Sequence, residues 1–378
     1  MPEALASPAA LGFRLPAEWE PHQATWIAWP QNRTDWPGKF APVVWVYCEI
    51  VRQLAAVERV RILVNDEQTE RRARALLGWS HVEMQAVEFV RRRTNRGWTR
   101  DFCPLFLRGP GGELGAVKWR FNGWARYRDW QLDDEAGWRI ALATGCPVWR
   151  PCARGRRLVL EGGAVDVDGK GLLLATEECL LSPVQARNPG LGRGELEQAL
   201  RDYLGVRKII WLASGVAGDD THGHVDDVAR FVAPGTVAAA EESDPTDRNY
   251  EALQENLRRL RSATDLVGRP LRVVTLPMPA PIYFRGQRLP ASYANFYIAN
   301  KLVLVPVFGD PQDRTALETL ASLFPDRRVV GVYSRDLILG LGAVHCLTMQ
   351  QPATGSSRPA CPRRRGRRVG HQPAGIRP

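Results

Sequence analysis

The chain has 378 residues, 44% of them hydrophobic and 24% charged, which excludes a mainly disordered, collagen-like or low-complexity protein. No apolar run approaches ~20 residues, so no transmembrane helix is expected, and the first residues lack the basic-then-apolar pattern of a signal peptide. The net charge of +10 invites a nucleic-acid reading, but residues 353–378 hold seven Arg, no Lys and no acid; the remaining +3 leaves residues 1–352 nearly neutral.

Residues 1–11 read as a loose start. Helical spacing covers 42–56, and Arg59–Val64 reads as a strand from its β-branched run. A shorter helix is expected at 67–77, strands at 81–90 and 116–121, and a helix at 133–144. Strands at 165–167 and 171–175 flank Asp168-Gly169, a hairpin signal. A helix at 195–204 precedes the strand at 208–212. Strands at 225–232 and 236–240 surround a Pro-Gly turn, and 246–261 has the charge spacing of a polar helix. Strands at 271–276 and 302–306, a helix at 314–324 and a strand at 328–333 follow. The order of two strands, a helix and a strand recurs about five times without a composition break, which points to one closed α/β domain over 12–352. An ordinary doubly wound sheet would show a similar alternation. From Ala353 the sequence turns Arg-, Pro- and Gly-rich and is expected to be disordered; it reads as an unstructured extension or as a polyanion-binding arm.

The seven Cys (48, 103, 146, 152, 179, 346 and 361) form no Cys-x-x-Cys pair. Their odd number fits free thiols in a reducing compartment better than a disulfide framework, so a cytoplasmic setting is expected.

Four clusters carry chemistry. The densest is 218–227, Gly-Asp-Asp-Thr-His-Gly-His-Val-Asp-Asp. Side chains two apart on a strand share a face, so His222 with His224, and His224 with Asp226, could converge. That set suits either a metal site or a general base among carboxylates that hold a cation. The second cluster places Trp98 near Asp101: a carboxylate and an indole face together suit a flat cation, although Asp101 could instead pair with Arg100. The third is Glu161-Gly162-Gly163, an acid beside backbone that can approach a partner closely. The fourth is 340–348, where glycines precede His345-Cys346 and a tight turn could lift a thiol into a cleft. Neighbouring side chains on an extended strand point to opposite faces, so His224 is a better base for Cys346 than His345.

The chain resembles the agmatine deiminase family of guanidine-modifying enzymes over about 12–352. The resemblance rests on 15–22 (LPAEWEPH), 25–30 (TWIAWP), 36–40 (WPGKF), 119–124 (WRFNGW), Glu161-Gly162-Gly163, 176–180, 218–227, 290–295 (PASYAN) and 345–348 (HCLT). It implies a five-bladed, pseudo-symmetric α/β-propeller (pentein) of ββαβ-type modules. The implied reaction, a step of putrescine and polyamine biosynthesis, hydrolyses agmatine to N-carbamoylputrescine and ammonia without metal or other cofactor. By the same resemblance Cys346 is the nucleophile, His224 the acid and base, and Asp101 and Asp226 the carboxylates that grip the guanidinium. Glu161 and Asp220 are further acids of the site, and Trp98 is a pocket wall. Homo-oligomers are common in the family, and neither nucleic acid nor membrane is an expected partner of the folded domain.

Two departures stand out. The family's Arg-Asp-x-Gly-Pro is here Arg100-Asp101-Phe102-Cys103-Pro104, and a glycine needed at 103 for positive φ or for close backbone approach would make Cys103 a source of strain in the loop that carries Asp101. The basic tail is not part of the family pattern and starts close to Cys346. Three other readings remain: a metal-dependent hydrolase built on His222, His224 and Asp226, a catalytically impaired propeller that only binds, and a deiminase acting on arginine or peptidyl-arginine.

Overall fold

The computed structural model describes residues 6–355. Its first strand, β1 (His22–Ala28), leads through helix α1 (Phe40–Ala55) to β2 (Arg59–Val64), parallel to it. Helix α1 turns Val43, Tyr47, Ile50, Val51 and Leu54 to the core, a spacing that puts them on one face. Asp66 caps α2 (Glu67–Trp79) by accepting from the Thr69 amide at 2.7 Å. β3 (Val87–Arg91) then lies parallel to β2.

The following modules share one order: an antiparallel pair, a helix, and a third strand parallel to the second. After the one-turn helix α3 (Thr99–Phe102), β4 (Leu105–Arg108) pairs with β5 (Leu114–Val117), and α4 (Gln131–Ala143) leads to β6 (Val148–Trp149). A hairpin, β7 (Cys152–Ala153) and β8 (Arg156–Arg157), precedes β9 (Asp166–Val167) and β10 (Leu172–Thr176). Helices α5 (Glu177–Leu181) and α6 (Arg193–Leu204) connect these to β11 (Lys208–Leu212). Next come β12 (Ala229–Ala233), β13 (Thr236–Glu241), α7 (Tyr250–Ser262) and β14 (Arg272–Pro277). A second hairpin, β15 (Tyr283–Phe284) and β16 (Gln287–Arg288), precedes β17 (Tyr297–Ala299), β18 (Leu302–Val307), α8 (Gln312–Leu323) and β19 (Arg328–Tyr333). Finally β20 (Met349–Pro352) returns to pair antiparallel with β1. Among the described residues, five sheets of this kind form a mixed α/β fold.

Their middle strands are buried on both faces. Leu173 and Ala175 of β10 enter one apolar cluster, while Leu172 and Leu174 enter another. Leu302 and Leu304 of β18 face away from Val303 and Val305 in the same manner. Burial on both sides gives continuous apolar runs instead of alternation.

Several expected bounds shift. The strand expected at 225–232 begins at Ala229, because 225–227 is a turn of 3₁₀ helix. The strand expected at 81–90 begins at Val87, after another such turn at Met84–Ala86, and that expected at 116–121 lies at Leu114–Val117. The helix expected from 246 starts at Tyr250, because Asp244 and Asp247 accept from the amides of Thr246 and Asn249 and hold the chain in turns. In the segment expected to be loose, Ala9–Leu11 forms a 3₁₀ turn and the Ala6 carbonyl accepts from Trp149 Nε1 at 3.1 Å. Most of the expected disordered tail, from residue 356, lies outside the described residues. Its first residues are pinned: the Ala353 amide donates to Pro21 O at 2.8 Å and the Gly355 amide to Gly112 O at 3.0 Å.

Candidate active site

Each antiparallel pair is entered through a tight turn, and these turns bring the chemically distinctive side chains together. Asp101 stands on α3, four residues before β4. Glu161 precedes the 3₁₀ turn Gly162–Ala164 that leads to β9. His224 immediately precedes, and Asp226 lies in, the 3₁₀ turn Val225–Asp227 before β12. Asn295 lies just before β17, and Cys346 just before β20. Small residues permit the approach. A Cβ on Gly163 would lie 2.5 Å from His224 Nδ1 and 3.1 Å from Asp101 Oδ1. A Cβ on Gly342 would lie 2.7 Å from the Trp98 ring.

Cys346 is buried among acids. Asn295 Nδ2 lies 3.1 Å from its Sγ, and Asp226 Oδ2 is 3.8 Å from it. Burial, then Asp226, Asp227 and Asp101, push the thiol well above its ordinary pKa. A positive charge placed among these carboxylates reverses that effect and favours the thiolate. Asp101 accepts from the Gly163 amide at 3.1 Å and from Trp124 Nε1 at 2.9 Å. Burial raises it to about 6 against the pull of His224. Asp226 is fully buried. Its Oδ2 meets His345 Nδ1 at 2.6 Å, and its Oδ1 has no hydrogen-bond partner. Burial opposes its charge, but His345 outweighs this and keeps the carboxyl below its usual range. Asp227, beside it, is pushed well up by burial and by the Asp226 charge.

His224 stands between Asp101, at 3.9 Å from Nδ1, and Glu161, at 3.7 Å from Nε2. It is fully buried, and neither ring nitrogen has a hydrogen-bond partner. Burial disfavours its charged form, yet the Asp101 charge, with Cys179 and Glu161, holds its pKa well above the ordinary value. Glu161 is fixed by Arg187, whose Nε lies 3.1 and 3.2 Å from its two oxygens. Burial raises the Glu161 pKa, but Arg187 and His224 bring it down to about 2.

A narrow pocket leads to Cys346, lined by Arg96, Trp98, Asp101, Trp124, Tyr127 and Asp220 among others. Trp98 packs on Trp36 with ring centroids 5.6 Å apart. Asp220 accepts from the Tyr127 hydroxyl, and Arg126 Nε is 3.8 Å away. Arg96 already has two carboxylates, Asp35 and Asp129. Beneath the pocket, Glu18 gathers Arg100 at 2.9 Å, His345 at 2.8 Å and Arg230 at 2.9 Å. Arg230 also pairs with Asp166 at 2.5 Å.

The structure therefore brings together Cys346, His224, Asp226, Asp101 and Glu161, with Trp98 and Asp220 toward the mouth. His222 is a correction. Positive φ at His222 (64°) and Gly223 (91°) breaks the strand geometry, and His222 turns to Ser182 at 3.1 Å and Glu178 at 3.7 Å. The His222–His224–Asp226 metal set is thus not assembled. At Cys103 φ is −65°, so no glycine is needed there for positive φ. Sequence reasoning missed Asn295, Arg187, Trp124, Tyr127, His345 and Glu18 as parts of the site. Asn295 closes the PASYAN segment and Trp124 the WRFNGW segment, so both had a signal. Arg187 had none, because its partner Glu161 is 26 residues away.

Comparison with known proteins agrees. The profile of the Porphyromonas-type peptidyl-arginine deiminase family matches residues 14–352. An agmatine deiminase of Ectopseudomonas mendocina is 38% identical over 370 residues, covering 92% of this chain and 97% of that one. One of Pseudomonas syringae pv. tomato is 38% identical over 371 residues, covering 92% and 98%. The solved agmatine deiminase of Enterococcus faecalis superposes with a TM-score of 0.84 at 34% identity, covering 92% of this chain and 98% of that one.

Proposed function

The chain belongs to the Porphyromonas-type peptidyl-arginine deiminase family, and on that premise we propose that it hydrolyses agmatine to N-carbamoylputrescine and ammonia. The observation that carries this is the meeting of Cys346, His224, Asp101 and Asp226 at the end of one narrow pocket. A guanidinium is permanently charged, so a buried site must supply carboxylates to hold it. Asp101 and the free Oδ1 of Asp226 do so. The arriving cation offsets the carboxylates that hold the Cys346 thiol protonated, and the thiol proton leaves. The thiolate attacks the guanidinium carbon. His224, kept as imidazolium, donates its proton to the departing nitrogen, and the C–N bond breaks to release ammonia. The neutral imidazole then takes a proton from water, which attacks the amidino carbon. The C–S bond breaks, the added hydroxyl gives up its proton to solvent, and the ureido product and the thiolate result. Glu161, held by Arg187, orients His224. Trp98 walls the pocket.

The mouth favours agmatine over arginine. Asp220 there suits a distal ammonium, and Arg96, already engaged by Asp35 and Asp129, is not free to take an α-carboxylate. The five modules, with β20 paired to β1, support reading the sheets as blades of a five-bladed α/β-propeller around the site. The six described cysteines are free thiols, which supports a cytoplasmic setting, and no described helix is long and apolar enough to cross a membrane. A homo-oligomer is the expected assembly, from the family resemblance.

The test is ammonia release from agmatine and from arginine, with and without chelator, with Cys346→Ala as control. Chelator-insensitive release from agmatine that needs Cys346 is expected. Release that survives Cys346→Ala would sink the mechanism, and arginine turned over faster than agmatine would sink the substrate assignment.

A further inference from the structure

On the far side of the His224 ring from Asp101 and Asp226 lies a cluster with the make-up of a metal site. Glu161, Cys179 and His224 are all fully buried, and one donor atom from each lies within 4.8 Å of the others. Nε2 is the ring nitrogen turned to Glu161, 3.7 Å from its Oε2, while Nδ1 faces Asp101 and Asp226 at 3.9 and 4.0 Å. Nε2 is buried without a hydrogen-bond partner, which is costly for a polar atom unless something completes it. The other two donors are held in place. The Thr176 hydroxyl accepts from the Cys179 amide at 3.1 Å at the start of α5, and Arg187 fixes the Glu161 carboxylate from outside, as partners of metal-binding carboxylates do. Nitrogen, sulfur and oxygen donors together suit a borderline-soft ion with short tetrahedral bonds of ~2.0–2.3 Å, and the thiolate discriminates against magnesium and calcium. The charges nearby tolerate a dication: Glu161, Asp101 and Asp226 stand against Arg187.

We propose that Glu161, Cys179 and His224 form an inhibitory site for a thiolate-binding divalent cation such as Zn²⁺. Binding displaces two protons to solvent, one from Nε2 of the imidazolium and one from the Cys179 thiol, and the freed nitrogen lone pair and thiolate bond the ion. With Nε2 on the ion, the remaining ring proton stays on Nδ1. His224 can then no longer alternate between giving a proton to ammonia and taking one from water. The binding site stands on its own geometry; only the inhibition rests on the proton-carrying role given to His224 above.

The test uses the full chain with Cys346→Ala, which removes the competing thiol, titrated with Co²⁺ alone. A near-ultraviolet thiolate-to-metal absorption band saturating at one ion per chain is expected. Adding Cys179→Ser should weaken that binding at least tenfold, with Cys179→Ala as a second replacement and thermal unfolding of each showing that it is folded. With Cys346 intact, Zn²⁺ alone should inhibit ammonia release, and Cys179→Ser should raise the concentration needed at least tenfold relative to its own metal-free rate. A band undiminished in both Cys179 variants, or no band in Cys346→Ala, overturns the site. Zn²⁺ binding without inhibition overturns the inhibitory role. If agmatine were not turned over at all, the Co²⁺ titration would still decide the site.

Discussion

Two sets of buried charges adjoin each other in this protein and are treated oppositely. Under the pocket, Glu18 meets Arg100, Arg230, His345 and the Ile298 amide, and Arg230 also reaches Asp166 and the Phe296 carbonyl. Beside Cys346 at the pocket's end, both nitrogens of His224 and one oxygen of Asp226 are buried with no hydrogen-bond partner. Asp226 joins the two sets, with Oδ2 tied to His345 below and Oδ1 free above. Burying an unpaired polar group costs free energy, whereas a paired network mainly fixes geometry. The lower set therefore stabilises and orients, and the upper set keeps unspent binding capacity for a cation.

Breaking each set should have different signatures. Cys346→Ala should lower agmatine turnover at least ~10⁴-fold, and His224→Ala by ~10²–10⁴-fold, both read by ammonia release and with small changes in urea midpoint. Arg230→Ala, in contrast, should destabilise the fold by about 3–5 kcal/mol, because it strands buried carboxylates; equilibrium urea unfolding measures this. Glu161 sharpens the comparison, since it touches the upper set but is locked by Arg187. Its folded pKa of about 2 lies below the ordinary 4.5, so its contribution is present above pH 4.5 and drains as pH falls toward 2. Urea midpoints measured from pH 6 to 3 should fall less steeply in Glu161→Gln. Asp101→Asn should cut turnover ~100-fold (~2.7 kcal/mol) yet speed alkylation of Cys346 by iodoacetamide, because it removes a charge that raises the thiol pKa. Slower alkylation would break that electrostatic account. His222→Ala should change turnover by less than ~3-fold, since its contacts are Ser182 and Glu178.

The residues of the upper set were legible because rare types sit in irregular motifs: His224 and Asp226 among acids, Glu161 before two glycines, Cys346 after glycines. The strand rule that paired His222 with His224 failed for a local reason, two consecutive residues at positive φ. Concern over Cys103 failed because only coordinates show that φ there is negative. β1 escaped notice because all but one of its seven residues are buried, which erases alternation. The lower set was hidden for a different reason. Glu18 to His345 spans 327 residues and Arg230 to Asp166 spans 64, and no short-range pattern encodes such pairs. The order of strands and helices was visible, but the pairing of β20 with β1 was not.

That pairing has a consequence for biosynthesis. The nucleophile stands just before the strand that closes the first sheet, so a growing chain lacks it until about 346 residues have been joined. At ~5–20 residues per second this takes roughly 20–70 s. The edge of β1 waits for its partner through most of that time, and the carboxylates that surround Cys346 are all made before it. A chain terminated before residue 346 would contain those acids but no Cys346 thiol to attack a guanidinium. The thiol that completes the site thus arrives only with the last of the described strands.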